Sequence, residues 1–367
     1  MKKKSLSALF QPVELTQGEC WKTILAFSFP IIVSYLLQQV YTISDAAIVG
    51  QTLTAQEVAG VNDTTSLIFI FLQFAFGVSA GFCVVTSCNV GAHNPAGVRR
   101  SLTTQIVLSA ALTVILTVLA LLLLDPMLAW INVTPDNGEV YRAAYTYCAI
   151  IFAGIGAQLF YNFICSFLRS MGDSVTPLAF LLFSTVLNVG LDLLFIIVFR
   201  WGVAGAAIAT VLSQALSGLA CLAFMVRRFP ILRMQGAEKR FDLHSAKVLC
   251  WMGIPMGLQY SITAVGSIIL QSAVNGLGTA AIASVAAGAK LFQLICCPYD
   301  AMGSSMATYC GQNVGACRLD RLGQGIRSCS LLGLAYAVMA FCAMLVFADP
   351  CAMLFLNPSE PQLDLLV

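Results

Sequence analysis

The sequence specifies an all-α, polytopic membrane protein, and three observations lead there. Only 10% of the 367 residues are charged while 59% are hydrophobic, and the mean hydropathy is +0.87. A soluble domain carries roughly 25% charged residues, so this chain lacks the polar surface that keeps a globular protein dispersed. The apolar residues are gathered into nine segments, about 24–49, 61–85, 102–124, 143–166, 177–199, 203–226, 248–271, 280–308 and 327–348, each of a length that crosses a bilayer as a helix. Lys and Arg alternate across those segments. Sixteen fall on the side of the N-terminus and only Arg142 and Arg200 on the other, with Lys290 inside a segment. That bias makes the basic side cytoplasmic. The expected locale is therefore the inner (plasma) membrane, multi-pass, with a cytoplasmic N-terminus and lipid as a partner.

Taken in order, residues 1–21 open with MKKKSLSALFQP. This stretch is basic, but its apolar run is too short for a signal-peptide core, and it is expected to be a cytoplasmic lead-in. Residues 22–226 hold six spans, 227–247 form the longest polar connection, on the cytoplasmic side, and 248–367 hold three more spans and the start of a tenth. The loops between spans are short and rich in turn formers, such as His93-Asn94-Pro95 and Met171-Gly172-Asp173. The 14 Cys form no CxxC pair and no Cys/His set at ligand spacing, and are expected to be small apolar packing residues.

The chain repeats itself. Asn89-Val90-Gly91-Ala92 recurs as Asn313-Val314-Gly315-Ala316 and Asp125-Pro126 as Asp349-Pro350, both 224 residues on, while Phe29-Pro30 is matched by Ile254-Pro255 at 225. Six spans per copy is an even number, so the copies run parallel and are related by an axis along the membrane normal. The expected architecture is two six-helix lobes about a pseudo-two-fold axis with a cavity between them. The second lobe is incomplete: a full copy would extend about 83 residues past Val367.

Polar residues inside the spans mark the candidate site. The fifth segment carries Asn188 and Asp192 at i,i+4, with Ser184 one turn earlier on the same face. A carboxylate deep in a hydrophobic span costs a few kcal/mol and faces a partner, a cavity or an ion. In the first segment Ser34, Gln38, Thr42 and Asp45 share a stripe, and Pro30 removes a backbone hydrogen bond and can bend the helix. Asp45 and Asp192 could then share a proton or a cation, with the Asn188 amide oxygen helping hold sodium, a hard ion that prefers oxygen. Thr210, Ser213, Gln214 and Ser217 stripe the sixth segment, where interhelical glue is the competing reading for each. In the eighth, Lys290, Gln293 and Asp300 share a face, but Lys290 and Asp300 stand about 15 Å apart along the axis and cannot pair. These three, with Gln38, Gln158, Asn162 and Gln259, are candidate cavity lining. Asp63, Asp125 and Asp349 are expected at the interface and His93 in a solvated loop.

The order of these features, with Leu168-Arg169-Ser170-Met171-Gly172-Asp173 ahead of the fifth span, resembles the multidrug and toxic compound extrusion (MATE) family over about residues 20–367. The branch it resembles holds its cation in the N-terminal lobe, on an Asp of the first helix, an Asn and an Asp four apart on the fifth, and a Thr on the sixth. Those positions are matched here by Asp45, Asn188, Asp192 and Thr210. Pro30 resembles that family's bending proline. The seventh span offers Gln259, Thr263, Ser267 and Gln271 but no acid, unlike a second branch. The resemblance implies antiport: sodium or protons enter while lipophilic, often cationic, organic compounds leave. It implies no cofactor beyond the coupling ion, a metal role limited to sodium, no nucleic-acid partner, and a monomer. A lipid-linked-sugar flippase of the same superfamily, and a fragment without transport activity, stay open as alternatives. An intramembrane enzyme is disfavoured because no DDxxD, HExxH or Ser/His pair lies at membrane depth.

Overall fold

The computed structural model describes residues 12–232, 241–275 and 279–353; the expected start of the lead-in, the middle of the 227–247 loop and the start of a tenth span lie outside them. Among the described residues the structure is helical. The helices are α1 (Cys20–Thr52), α2 (Ala55–Gly91), α3 (Pro95–Leu122), α4 (Leu124–Trp130), α5 (Glu139–Ala153), α6 (Ile155–Ser170), α7 (Val175–Asp192), α8 (Gly202–Arg228), α9 (Leu243–Asn275), α10 (Thr279–Gly315) and α11 (Leu319–Met353). Seven are long and apolar enough to cross a membrane, and the bent α5–α6 pair makes eight. α10, where the eighth crossing is expected, is not among these; it carries Lys290, Asp300 and the polar run after it.

Local chemistry sets the helix ends. Glu57 accepts from the Thr54 backbone N–H at 2.9 Å while Thr54 Oγ1 accepts from the Glu57 N–H at 3.3 Å, a reciprocal cap that starts α2 two residues after α1 stops. Asn94 Oδ1 accepts from Gly97 N, with Pro95 in the first helical position of α3. Asp173, buried in the α6–α7 turn, accepts from both the backbone N–H (2.9 Å) and the hydroxyl (2.6 Å) of Thr176. Gly172 in that turn has φ +86°, a conformation that suits glycine.

Two spans expected to be continuous are not. The fourth breaks at Gly154 into α5 and α6, which meet at 46°. A Cβ on Gly154 would strike the Val211 side chain of α8, so the bend brings backbone against a β-branched neighbour where only glycine fits. The fifth ends its α-helical part at Asp192 and continues as a wide, π-helical turn over Leu193–Val198. Pro30, by contrast, sits inside an unbroken α1, where the Ser34 hydroxyl donates to its carbonyl at 2.8 Å.

The sequence repeat is also a structural one. Asn89 Nδ2 donates to Val85 O and Asn313 Nδ2 to Tyr309 O. The turns that follow repeat bond for bond: Asn94 N to Asn89 O and Arg318 N to Asn313 O, with His93 (φ 49°) and Cys317 (φ 55°) both left-handed. The copies touch reciprocally here. A Cβ on Gly91 would strike Gln312 O, and one on Gly315 would strike Cys88 O; these are the same two positions with the copies exchanged, as a two-fold relation requires. Farther along, α2 runs antiparallel against α9, where Gly77 faces the Met256 carbonyl, 2.6 Å from an ideal Cβ. Small residues allow such close helix approach.

Residues 12–19 strap this end. Arg321 donates to Gly18 O (2.8 Å), Gln17 O (3.2 Å) and Asn313 Oδ1 (3.1 Å). Asn313 Nδ2 reaches Leu15 O, and Val13 N donates to Gly172 O at 2.9 Å. The close contacts should be sensitive to added bulk. Gly91→Val or Gly315→Val is expected to cost about 1–3 kcal/mol by overpacking, because the obstructing atoms are backbone and cannot swing away. Thermal unfolding in detergent should show a lowered Tm for both. Gly266→Ala, which would meet nothing within 4 Å, should leave the Tm unchanged.

Candidate functional site

Among the described residues, nine of the eleven buried side-chain oxygen and nitrogen atoms without a hydrogen-bond partner belong to seven residues on three helices. They are Tyr41 Oη and Asp45 Oδ1 from α1, Ser184 Oγ, both amide atoms of Asn188 and both carboxylate oxygens of Asp192 from α7, and Gln214 Oε1 and Ser217 Oγ from α8. Ser184, Asn188 and Asp192 are fully buried, as their i,i+4 spacing predicts. The Asp45 and Asp192 carboxyl groups face each other within hydrogen-bonding reach. The Tyr41 hydroxyl lies beside Thr210 and Ser213 without a well-formed bond, and Tyr147 of α5 closes in near both acids.

The energetics exclude a dry core. One buried, unsatisfied polar group costs about 1–3 kcal/mol, and nine such atoms together would outweigh the stability of most domains. Neither acid has an Arg or Lys partner among the described residues. The donors are oxygens: two carboxylates, an amide carbonyl and hydroxyls. Such a set suits a proton or a hard monovalent cation better than a soft metal, and no cluster of three His, Cys, Asp or Glu occurs among the described residues.

The helices present these groups for local reasons. Asp192 is the last α-helical residue of α7, and the π-helical turn after it widens the backbone; such turns occur often at functional sites. On α8, Ser213 and Ser217 are buried at i,i+4 next to Gln214. A pocket of about 90 Å³ adjoins them, lined in part by Tyr147, Gln158, Thr210 and Gln214. Gln158 therefore meets Thr210 as candidate lining, whereas Asn162 is half-buried one turn on. Of the rest of the expected lining, Gln38, Gln259, Lys290, Gln293 and Asp300 are exposed, and the Gln271 side chain lies outside the described residues. The α1 stripe also divides. Ser34 is buried and Asp45 turns to the site, but Gln38 and Thr42 are exposed. Tyr41, four residues before Asp45, is the site neighbour the stripe omitted. Its spacing from Asp45 was the available signal, whereas Tyr147 had none beyond an aromatic run.

Asp63 and Asp125 are exposed, the latter accepting from the Tyr141 hydroxyl at 2.8 Å, and His93 is exposed in its turn. Thirteen free cysteines are described, Cys20, Cys83, Cys148, Cys165 and Cys221 among them buried. Arg169, counted with the charges on the side of the N-terminus, is half-buried and borders a cavity between α2, α6, α9 and α10.

Because the orphaned groups cost stability when the site is empty, removing one should help. Asn188→Leu is expected to raise the Tm in sodium-free buffer by the equivalent of about 1–3 kcal/mol, read by thermal unfolding in detergent. A lowered Tm would show that Asn188 has a partner within the fold.

The MatE family model matches residues 30–194 and 255–364. The chain is 32% identical over 306 residues to the probable multidrug resistance protein YpnP of Bacillus subtilis (strain 168), covering 82% of this chain and 67% of that protein. It is 26% identical to the probable multidrug resistance protein YoeA of the same strain, over 93% of this chain and 74% of the relative. A solved structure of a MOP superfamily transporter from Pyrococcus furiosus Vc1 (DSM3638) superposes with a TM-score of 0.87 at 22% identity, covering 97% of this chain and 79% of that one. The chain is an integral membrane protein and belongs to the MATE family, a family of multidrug transporters and not of enzymes.

Proposed function

We propose that the protein is a cation-coupled antiporter that exports lipophilic, often cationic, organic compounds by alternating access. Sodium or a proton is the coupling ion, held by Asp45, Asn188, Asp192 and Thr210. The observation that carries this reading is the facing pair of acids, Asp192 fully buried and Asp45 half-buried, ringed by buried polar atoms that have no partner. Fold and family are its background. In the proposed architecture two six-helix lobes, the second incomplete with nine spans present, sit about a pseudo-two-fold axis, supported by the reciprocal Gly91 and Gly315 contacts. The proposed setting is the bacterial inner membrane, as a monomer with its N-terminus in the cytoplasm, supported by the Lys and Arg bias.

The cycle follows from electrostatics. Empty and charged, Asp45 and Asp192 repel and hold α1 away from α7. Binding a proton or sodium removes the repulsion, α1 bends near Pro30, and the cavity contracts around or releases its substrate. The cation drives this only through unequal affinity for the two states, and moving a population from 1:99 to 99:1 takes about 5.5 kcal/mol of differential binding.

Dye export into inverted vesicles, energised separately by a sodium or a proton gradient, tests the reading. Asp192→Asn and Asp45→Asn should each lower gradient-driven transport at least tenfold while membrane insertion is intact. Unchanged transport in both overturns the coupling role. If sodium is the ion, it should raise the Tm of the wild type, by about 2.7 kcal/mol at one hundred times its dissociation constant, and leave Asp192→Asn unmoved. A wild-type Tm indifferent to sodium assigns the coupling to protons.

A further inference from the structure

A second polar site lies apart from the acid pair, in the cavity of about 50 Å³ between α2, α6, α9 and α10. Arg169, in the last turn of α6, borders it together with Ser166, Tyr260, Ser304 and Thr308. The ordinary role for an Arg in a helix's last turn is to face water and complement the macrodipole. Arg169 does otherwise. Its Nε is buried without a hydrogen-bond partner, and no acid among the described residues pairs with it. Asp173, four residues on, is committed to Thr176. Asp300 stands one turn from Ser304 on α10, about 6 Å along the axis, near Tyr260, but forms no ion pair with Arg169 among the described residues. Arg169 is half-buried, and it is its Nε that lacks a partner; a buried charged donor left unpaired costs more than a neutral one would.

The walls fit an amphiphile. Phe76, in edge contact with Tyr260 at 5.3 Å between ring centroids, and Met256 provide the apolar surface. The Tyr260 and Ser304 hydroxyls line the same cavity as Arg169, while the Thr308 hydroxyl donates to Ser304 O at 3.4 Å. Residues from both sequence copies contribute, so an occupant would touch both at once. The space holds several waters or one oxyanion head group, so the body of a larger ligand would extend from it past Phe76 and Met256.

We propose that this cavity binds the oxyanion of an amphiphilic ligand, a carboxylate or a phosphate, on Arg169, with the apolar body of the ligand against Phe76 and Met256. The planar guanidinium matches either group through paired hydrogen bonds. Binding here extends the exporter's substrates to organic anions and zwitterions. Only that extension rests on the exporter reading; the binding itself does not.

Dansylglycine and its methyl ester, titrated by fluorescence against the purified chain in non-ionic detergent at low salt, provide the test. The acid should bind at least tenfold more tightly than the ester. Arg169→Gln should reduce that ratio to about one, and Arg169→Lys should keep part of it. Equal affinities in the wild type, or an undiminished ratio in Arg169→Gln, overturn the proposal. Should Arg169→Gln fail to fold, the wild type decides: inorganic pyrophosphate must displace dansylglycine where sodium chloride of equal ionic strength does not. Repeating the titration in bilayer discs containing phosphatidylglycerol separates the two sources of oxyanion. Loss of the acid preference there assigns the site to a lipid phosphate, and its persistence assigns it to a soluble substrate. Acid preference together with failed vesicle transport would leave this site standing and remove the exporter reading.

Discussion

Two carboxylates held against each other inside an apolar helix bundle, with no basic residue among the described ones to neutralise them, set the terms for the rest of this structure. Asp45 and Asp192 cannot both stay charged and dry. Something from solution must join them. The surroundings are arranged for that: the atoms around the pair are left without internal bonds, in a chain whose remaining buried polar groups are mostly paired. Ser79, Ser87 and Thr185 return their hydroxyls to the carbonyl four residues back, and Gln105 bonds Thr86 and Ser101. The fold satisfies polar groups where it has no use for them open, so the unsatisfied cluster is a feature of the site and not a lapse of packing.

Holding that cluster together takes rigid neighbours. The α2–α9 and α2–α10 contacts include backbone-to-backbone approaches at Gly77, Gly81, Gly91 and Gly315, where no compliant side chain can absorb movement. Interfaces of this kind switch between discrete arrangements and do not deform gradually. The strap at residues 12–19 adds hydrogen bonds from Arg321 and Asn313 at the same end. Loosening that end therefore means breaking a defined set of bonds, those of Arg321, Asn313 and Val13, and parting Gly91 from Gln312.

What could be read from the chain was whatever a period or an offset encodes. Asn188 and Asp192 declared themselves by spacing, and the 224-residue repeat anticipated that residues 88–94 and 312–318 would fold alike. Asp173 was legible as a turn residue, though not as a cap. The misses share a cause: each depended on a neighbour from elsewhere in the chain. Gly154 breaks a span because Val211 stands beside it, and nothing in the local sequence announces Val211. Tyr41 and Tyr147 look like any aromatic in a span until α1, α5 and α8 bring them to the acids. Arg169 was legible only as one of the charges on the side of the N-terminus. The folding of α9 and α10 over it is a tertiary fact, invisible to a count of charges on either side of a membrane.

The two polar sites differ in sign and in construction, and the difference bears on how they can communicate. The acid pair is contained within the first sequence copy, on α1, α7 and α8, while the Arg169 cavity is built by both copies. A ligand at the first can change only how α1 lies against α7. A ligand at the second must sense how the copies lie against each other. Helix α1 is the physical link, because it takes part in both relations. Near its start Cys20 accepts a hydrogen bond from Tyr309 of α10, Ile24, Phe27 and Ile31 pack with Ala301 and Tyr309, and Asp45 lies two dozen residues farther along. Pro30 stands between these regions, with Ser34 bonded to its carbonyl. In the proposed cycle a bend there would let the outer part of α1 follow the charge state of the acids while its inner part stays with α10, or would carry both together. Coupling in this molecule then reduces to the stiffness of one helix at one proline.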